Sequence, residues 1–165
     1  MKKQILFIVG VLIYTSMYSQ SVLTVFQDWQ RTTGSQHFFY KNITKTDASG
    51  NVYIAGATEN GAGNYDILVA KYNSSGAQQW IHQIDGTAHH QDFATALQLD
   101  NSGSVYITGA ITNDTTTFFT DLIIVKYNSS GTEQWRNTYD GAGNNDGGTD
   151  ILASAGGALV TGSSY

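Results

Sequence analysis

Residues 121–135, DLIIVKYNSSGTEQW, decide the fold because the same pattern occurs a second time in the chain. Its counterpart is residues 66–80, DILVAKYNSSGAQQW, and nine of the fifteen positions are identical. Four of the other six positions exchange one aliphatic residue for another. Similarity this close within one chain predicts an architecture built from repeated units.

A second matching segment precedes each of these stretches. It reads GNVYIAGAT from Gly50 and GSVYITGAI from Gly103, and a weaker third copy, GGALVTGSS, begins at Gly156. The closing glycines of the three copies are 53 residues apart in both intervals: Gly56, Gly109 and Gly162. The constant spacing sets the length of one unit.

Each unit is predicted to contain four short strands separated by polar turns. In the second unit these strands are residues 92–99, 104–109, 121–127 and 132–139. The apolar runs 67–70 and 122–125 do not alternate with polar residues, as they would in a strand with one face in water. The third strand of each unit is therefore predicted to be covered on both faces.

Four-stranded sheets stacked face to face around an axis would cover such strands, and roughly 40 to 50 residues per blade is usual for that arrangement. We therefore predict an all-β fold, a partial β-propeller with about two complete four-stranded antiparallel blades and an incomplete third. A β-sandwich is the alternative, but it does not account for the 53-residue period. The predicted divisions are 1–19 (signal peptide), 20–36 (entry segment with an outer strand), 37–84 (first repeat), 85–139 (second repeat) and 140–165 (truncated third repeat).

The pattern D-x-x-G-N-V-Y-I-x-G, then D-I-L-V-x-K-Y-N-x-x-G and a Trp four residues later, resembles the seven-bladed beta-propeller repeat family of exported bacterial proteins. The similarity runs from about Trp29 to the end of the sequence. The third copy departs from the pattern, with Leu159 in place of the Tyr and Ala153 in place of the turn Asp. The resemblance implies a propeller fold and an extracytoplasmic setting, but no defined chemistry, because propellers carry many unrelated functions.

The first residues have the layout of a secretory signal peptide. Lys2 and Lys3 precede an apolar stretch at 5–14 and a polar tail at 15–20, with cleavage expected after Ser19. A membrane anchor is the alternative, but a spanning helix needs about 20 apolar residues. We expect a secreted, cell-surface or periplasmic protein with no membrane span after cleavage, and one without disulfides because the chain has no Cys.

The charge and length of the chain indicate which kinds of partner it can bind. A formal charge of −5 without a basic cluster argues against nucleic acid, which is bound through Lys and Arg. The sequence stops inside its third unit, and fewer than four blades do not close a ring. We therefore expect a fragment, or a chain that needs further blades or self-association to cover its strand edges.

Residues at matching positions of the units are interpreted as structural. The three tryptophans are expected to pack between blades, with a carbohydrate platform as the alternative, and the paired Lys and Asp residues are expected to satisfy polar groups at strand ends. These residues are Trp29, Trp80, Trp135, Lys71, Lys126, Asp66 and Asp121.

Two further patterns resemble metal sites. His89 and His90 lie between Asp85 and Asp92, but adjacent side chains on an extended segment point to opposite faces, which favours a solvated loop over a zinc site. The glycine-rich segments 61–66 and 141–146 resemble a calcium-binding nonapeptide, yet that motif needs tandem copies every nine residues. We assign no catalytic, cofactor-binding or metal-binding residue and expect no cofactor.

The sequence thus predicts a non-catalytic binding or scaffold module for a protein or glycan partner. The irregular loops 57–65, 85–92 and 110–120 are the expected contact regions, because function concentrates in loops. One alternative is a quinoprotein-like enzyme, suggested by a Trp shortly after a Gly turn but lacking a carboxylate set for the quinone's calcium. The other is a non-functional remnant of a truncated gene.

Overall fold

The computed structural model describes residues 11–12, 24–25, 43–60, 63–141, 143–154 and 157–165. All regular structure in these ranges is β-strand, and every sheet is antiparallel, so the all-β prediction is confirmed. In these same ranges no helix is long and apolar enough to cross a membrane. The strands are β1 (Val11–Leu12), β2 (Thr24–Val25), β3 (Ile43–Thr46), β4 (Val52–Glu59), β5 (Tyr65–Tyr72), β6 (Gln78–Ile84), β7 (Phe93–Leu99), β8 (Val105–Thr112), β9 (Thr120–Tyr127), β10 (Glu133–Tyr139), β11 (Asp146–Ser154) and β12 (Gly157–Ser164).

The strands form sheets of consecutive hairpins. The first sheet is β3-β4-β5-β6, the second is β7-β8-β9-β10, and the third is β11-β12, while β1 pairs only with β2 among the described strands. The two closely matching segments occupy β5 and β9, the third strands of their sheets, and they pair in the same register. Tyr53 lies opposite Lys71 in the first sheet, and Tyr106 lies opposite Lys126 in the second.

The predicted strands of the second unit all exist, but two loops are shorter than predicted. β8 continues to Thr112 and β4 to Glu59, so the predicted loops 57–65 and 110–120 shrink to 60–64 and 113–119. The reason is that the ladder continues beyond the glycine at which the sequence pattern ends. Glu59 still pairs with Tyr65 in the first sheet.

Each four-stranded sheet has two chemically different faces. We call one the lysine face, because it carries Lys71 in the first sheet and Lys126 in the second, and the other the valine face, because it carries Val52 and Val105. The lysine face of the first sheet packs on the valine face of the second. That core contains buried residues of both sheets: Tyr53, Ala55, Ile67, Val69, Ile84, Ala94, Leu97, Val105, Ile107, Ile111, Ile123, Val125 and Tyr127.

The second sheet meets the third in the same orientation. Its lysine face contributes Ala96, Tyr106, Ile124 and Trp135, and the third sheet contributes Ile151, Ala153, Ala158 and Val160. The valine face of the first sheet carries a separate buried cluster of Val52, Ile54, Ala70 and Tyr72. The second sheet therefore has a core on each face, which a two-sheet sandwich does not provide.

Burial of the apolar third strand differs between the two sheets. All four residues at 67–70 are at most 1% exposed, which confirms that this strand is covered on both faces. In β9 only Ile123 and Val125 are buried, whereas Leu122 and Ile124 are half-buried. The lysine face of the second sheet is thus less completely covered.

The tight turns between strands all lie at one end of the sheets and share one construction. A side-chain oxygen at the first position accepts the N–H groups two and four residues later, and Asp100 receives those of Ser102 and Ser104, both at 2.9 Å. The glycine at the fourth position has a positive φ, such as 75° at Gly103 and 86° at Gly131. Corresponding first residues are Asp47, Asn73, Asp100 and Asn128.

Candidate functional site

The longer loops lie together at the end opposite the tight turns. We call this surface the variable-loop end, and it consists of the described parts of 60–64, 85–92, 113–119 and 140–145. Neighbouring loops are joined by side-chain hydrogen bonds. Asn64 Nδ2 donates to the His89 carbonyl at 2.8 Å, and Thr87 Oγ1 donates to the Asn113 carbonyl at 2.9 Å. The three loops predicted to form a contact surface are therefore contiguous.

Asp92 is the most deeply buried charged group at this end. Its side chain is 0% exposed, and its two oxygens accept the backbone N–H groups of Gly86 at 2.6 Å and Thr112 at 2.7 Å. Loss of hydration on burial raises the pKa of the Asp92 carboxyl to about 6, although the two backbone hydrogen bonds oppose that shift. Asp92 thus fixes loop 85–92 to the end of β8.

Asp66 and Asp85 stand beside Asp92, a grouping that the sequence analysis missed. One carboxylate oxygen from each of the three residues lies within 4.8 Å of the others, and Asp85 is the exposed member. Burial raises the pKa of Asp66, and the neighbouring Asp85 charge acts in the same direction. No local sequence pattern indicates this cluster, because Asp66 lies in β5 of the first sheet while Asp92 precedes β7 of the second, and only the packing of the two sheets brings them together.

The oxygens of the two buried carboxylates already accept hydrogen bonds from the chain. Asp66 receives the side-chain amides of Asn60, at 3.0 Å, and Gln83, while Asp92 receives two backbone amides. Three carboxylates at this spacing offer oxygen ligands of the kind that Ca²⁺ or Mg²⁺ prefers. The hydrogen bonds to Asp66 and Asp92 already give these two carboxylates a structural role, because they hold the loops in place.

His89 and His90 diverge, as expected for adjacent residues. His89 Nδ1 lies 2.6 Å from Asp85 Oδ2, and this hydrogen bond raises the pKa of His89. His90 instead contacts Phe118, with ring centroids 4.9 Å apart. Phe118 is 45% exposed and has a φ of 57°, a strained conformation for a bulky residue. The half-buried His90 and the exposed Phe118 thus form an aromatic pair between neighbouring loops.

Trp80 packs between the first two sheets. Its ring lies 6.3 Å from that of Tyr53 in its own sheet and 6.0 Å from that of Tyr127 in the next, measured between centroids. Its indole N–H donates to the Ser129 carbonyl at 3.4 Å. Trp135 contacts Tyr106 in the same edge-on way and belongs to the core beneath the third sheet. Trp29 lies outside the described residues.

The paired lysines and aspartates also have structural contacts. Lys71 Nζ donates to the Ser129 carbonyl at 3.0 Å and lies over the Tyr53 ring, and Lys126 Nζ lies 4.8 Å from the Tyr106 ring centroid. Asp121 accepts from Asn113 Nδ2 at 2.9 Å, as Asp66 does from Asn60. The sequence analysis did not identify these two asparagines, although each lies four residues after the glycine that closes its repeated segment, Gly56 or Gly109.

The glycine-rich segments form loops at 63–64, 141 and 143–145, and each ends in a strand, with Asp66 in β5 and Asp146 in β11. Asp146 Oδ2 accepts the N–H of Gly141 at 2.6 Å, which closes loop 140–145 much as Asp92 closes loop 85–92. Residues 61–62 and 142 lie outside the described ranges, as do most of residues 1–36, so the signal peptide and the entry segment stay predictions. No protein-family model matches this chain, and no curated protein matches its sequence.

Proposed function

We propose that this chain is part of an exported β-propeller repeat protein that acts as a non-catalytic binding or scaffold module for a protein or glycan partner. The observation that carries the propeller assignment is the stacking of the lysine face of one sheet on the valine face of the next, which occurs twice. A head-to-tail relation of this kind can be continued by further sheets, and it closes into a ring when the rotation per step allows.

The variable-loop end is the surface that supports a binding role. Tight turns at the opposite end are nearly identical from sheet to sheet, whereas the loops at this end differ in length and composition. Rigid sheets that present divergent loops are a common way to build a binding surface. Exposed Phe118 beside His90 gives the surface an aromatic platform, which favours a glycan because sugar C–H groups stack on such rings.

The burial of Asp92 argues against a catalytic role for this carboxyl. Asp92, whose pKa burial raises to about 6, is fully buried and holds two backbone amides. A general acid or base must reach a substrate proton within hydrogen-bonding distance. Asp92 has no access to a bound substrate in this arrangement.

A glycan array probed with the labelled full chain tests the proposal. We expect retention of a subset of glycans and a loss of about tenfold in the Phe118→Ala variant, the order expected when one aromatic contact is removed. Gln79→Ala is the matched control, because Gln79 is exposed at the tight-turn end and its side-chain amide donates to the Ala77 carbonyl of its own hairpin. The control should retain the same glycans as the parent chain.

Two outcomes would contradict the proposal. Equal glycan retention by the parent chain and Phe118→Ala would remove the aromatic pair from the binding surface. A redox quinone that binds the chain and raises its melting temperature, with no glycan or protein retained, would favour the quinoprotein-like alternative.

A further inference from the structure

Three aspartates gather at the variable-loop end, where the first sheet meets the second. One oxygen from each of Asp66, Asp85 and Asp92 lies within 4.8 Å of the other two. Oxygens that share one Ca²⁺ ion lie no more than about 5 Å apart, which is twice a usual Ca–O distance of about 2.4 Å. The spacing therefore allows all three carboxylates to bind one ion.

The chain itself balances little of the negative charge of this group. Within the described residues, His89 is the only basic side chain that forms an ion pair with one of the three, at 2.6 Å from Asp85. One imidazolium would balance at most one of three negative charges. Burial first, and also the nearby charges of Asp66 and Asp85, raise the pKa of the Asp92 carboxyl in the chain without a cation. A bound divalent cation would supply the missing positive charge.

A buried hydroxyl beside Asp66 points to a ligand independently of the carboxylates. The Thr58 side chain is 1% exposed, and its Oγ1 has no hydrogen-bond partner in the described part of the chain. Thr58 in β4 lies directly opposite Asp66 in β5. Opposite residues of antiparallel strands carry their side chains on the same face, with Cβ atoms about 5 Å apart. Because a buried hydroxyl without a partner is costly, we expect this oxygen to act as a fourth ligand.

The second junction provides an internal comparison. The same three aspartates recur there, with Asp121 in β9, Asp140 after β10 and Asp146 at the start of β11. The residue opposite Asp121 is Ile111, so this junction has no hydroxyl at the position of Thr58. Among the described residues, only the aspartates of the first junction come together as a group. The gathered carboxylates and the buried hydroxyl therefore occur at the same junction.

We propose that the variable-loop end holds a Ca²⁺ site formed by Asp66, Asp85, Asp92 and Thr58. The Asp66 and Asp92 oxygens each accept one hydrogen bond from the chain, which leaves each oxygen a second lone pair for the ion. The exposed Asp85 admits the ion and the waters that complete a coordination of about six to eight oxygens. The ion joins loop 85–92 to β5 of the first sheet.

Calorimetric titration of the full chain with CaCl₂, after removal of divalent cations with a chelator, tests the site. We expect saturable binding of a single Ca²⁺, and a melting temperature that rises with Ca²⁺ concentration because the ion binds the folded state. Asp85→Asn should weaken binding by about tenfold or more, since it removes a charged ligand. Asp140→Asn is the matched control, because Asp140 is the exposed residue that follows β10 as Asp85 follows β6, and it should leave the affinity unchanged.

Thr58→Val distinguishes a ligand from a structural residue. Val has a similar shape but no hydroxyl, so we expect the Ca²⁺ affinity to fall by about threefold or more. The melting temperature of the cation-free chain should be unchanged or higher, because an unpaired buried hydroxyl has been removed. A Thr58 that served only the fold would show the opposite result, with lower stability and unchanged affinity.

Three results would overturn the proposal. They are the absence of saturable binding up to about 10 mM Ca²⁺, equal weakening by Asp85→Asn and Asp140→Asn, and an unchanged affinity in Thr58→Val. The Ca²⁺ site does not depend on glycan retention, so the two tests can fail separately.

Discussion

The two junctions between sheets use the same residues but are completed to different extents. At the first junction, Tyr53, Lys71 and Trp80 meet a valine face that includes β9 and the turn after it. At the second, Tyr106 and Trp135 meet the β11-β12 hairpin, which is all of the third sheet that the described residues contain. Ile67 and Val69 are fully buried, while their counterparts Leu122 and Ile124 are half-buried.

The two hairpins of a sheet make different contacts with the preceding sheet. The hairpin of the first two strands covers the centre of the preceding sheet, and this part is present at both junctions. The hairpin of the last two strands adds Tyr127 and the carbonyl of Ser129, which accepts from both Lys71 and Trp80. The repeated Lys and Trp thus have their full set of contacts only at the first junction, within the described residues.

Trp80→Ala is expected to have the largest effect. Removal of a packed Trp leaves a cavity and removes one of the two hydrogen bonds to the Ser129 carbonyl, and we expect a loss of about 3 kcal/mol in the free energy of unfolding. Trp135→Ala should cost about 1.5 kcal/mol, because it faces fewer neighbours. Urea unfolding of both variants measures the difference. Equal losses would contradict the asymmetry between the junctions.

The pH dependence of stability tests Asp92 at the first junction. Its folded pKa, about 6, lies above the ordinary value of 3.8, so between these values the folded state keeps a proton that the unfolded state releases. Stability should therefore fall by about 2 kcal/mol as pH rises from 4 to 7. The raised pKa values of His89 and Asp66 act in the same direction.

Asp92→Asn should flatten this decline, as measured by urea unfolding across the pH range. Asp100→Asn is the control. Partial burial of Asp100 opposes the shift, but hydrogen bonds from Ser102 and Ser104 bring its pKa to about 2, so its stabilisation is lost only as pH falls below about 4. An unchanged decline in Asp92→Asn would contradict the account of the buried carboxyl.

Gly131→Ala should destabilise the chain more than Gly103→Ala. Both glycines have positive φ, which costs an alanine about 1 kcal/mol. A Cβ on Gly131 would also lie 2.6 Å from Cγ of Trp80, whereas a Cβ on Gly103 would lie 3.4 Å from its nearest neighbour, in Ser129. We expect losses of about 2 and about 1 kcal/mol. If Gly131→Ala lowers the free energy of unfolding by no more than Gly103→Ala does, the close contact between Trp80 and the turn at Gly131 is contradicted.

The smallest expected difference is between Lys71→Met and Lys126→Met. Both substitutions remove a cation from a tyrosine face, but only the first also removes a hydrogen bond to Ser129. Losses of about 1.5 and about 0.5 kcal/mol should follow. A larger loss of unfolding free energy for Lys126→Met than for Lys71→Met would contradict the claim that the first junction is the more complete of the two.

The strands could be predicted from the sequence because each is marked by nearby residues, namely a turn and an apolar run. The turn at Asn128 and the apolar run before it fix the bounds of β9, and both follow from residues close in sequence. The extension of β4 to Glu59 lacked such a signal, since loop and strand residues there have similar polarity. The grouping of Asp66 with Asp92 depends on how two sheets meet, which no local pattern encodes.

The central claim is that the lysine face of the first sheet lies against the valine face of the second. Nuclear Overhauser effects from the Trp80 indole test it most directly, because Trp80 reaches residues more than 40 positions away in sequence. The account predicts cross-peaks from Trp80 to the Tyr127 ring and to the α-protons of Gly131. Cross-peaks from Trp80 confined to its own sheet would contradict it.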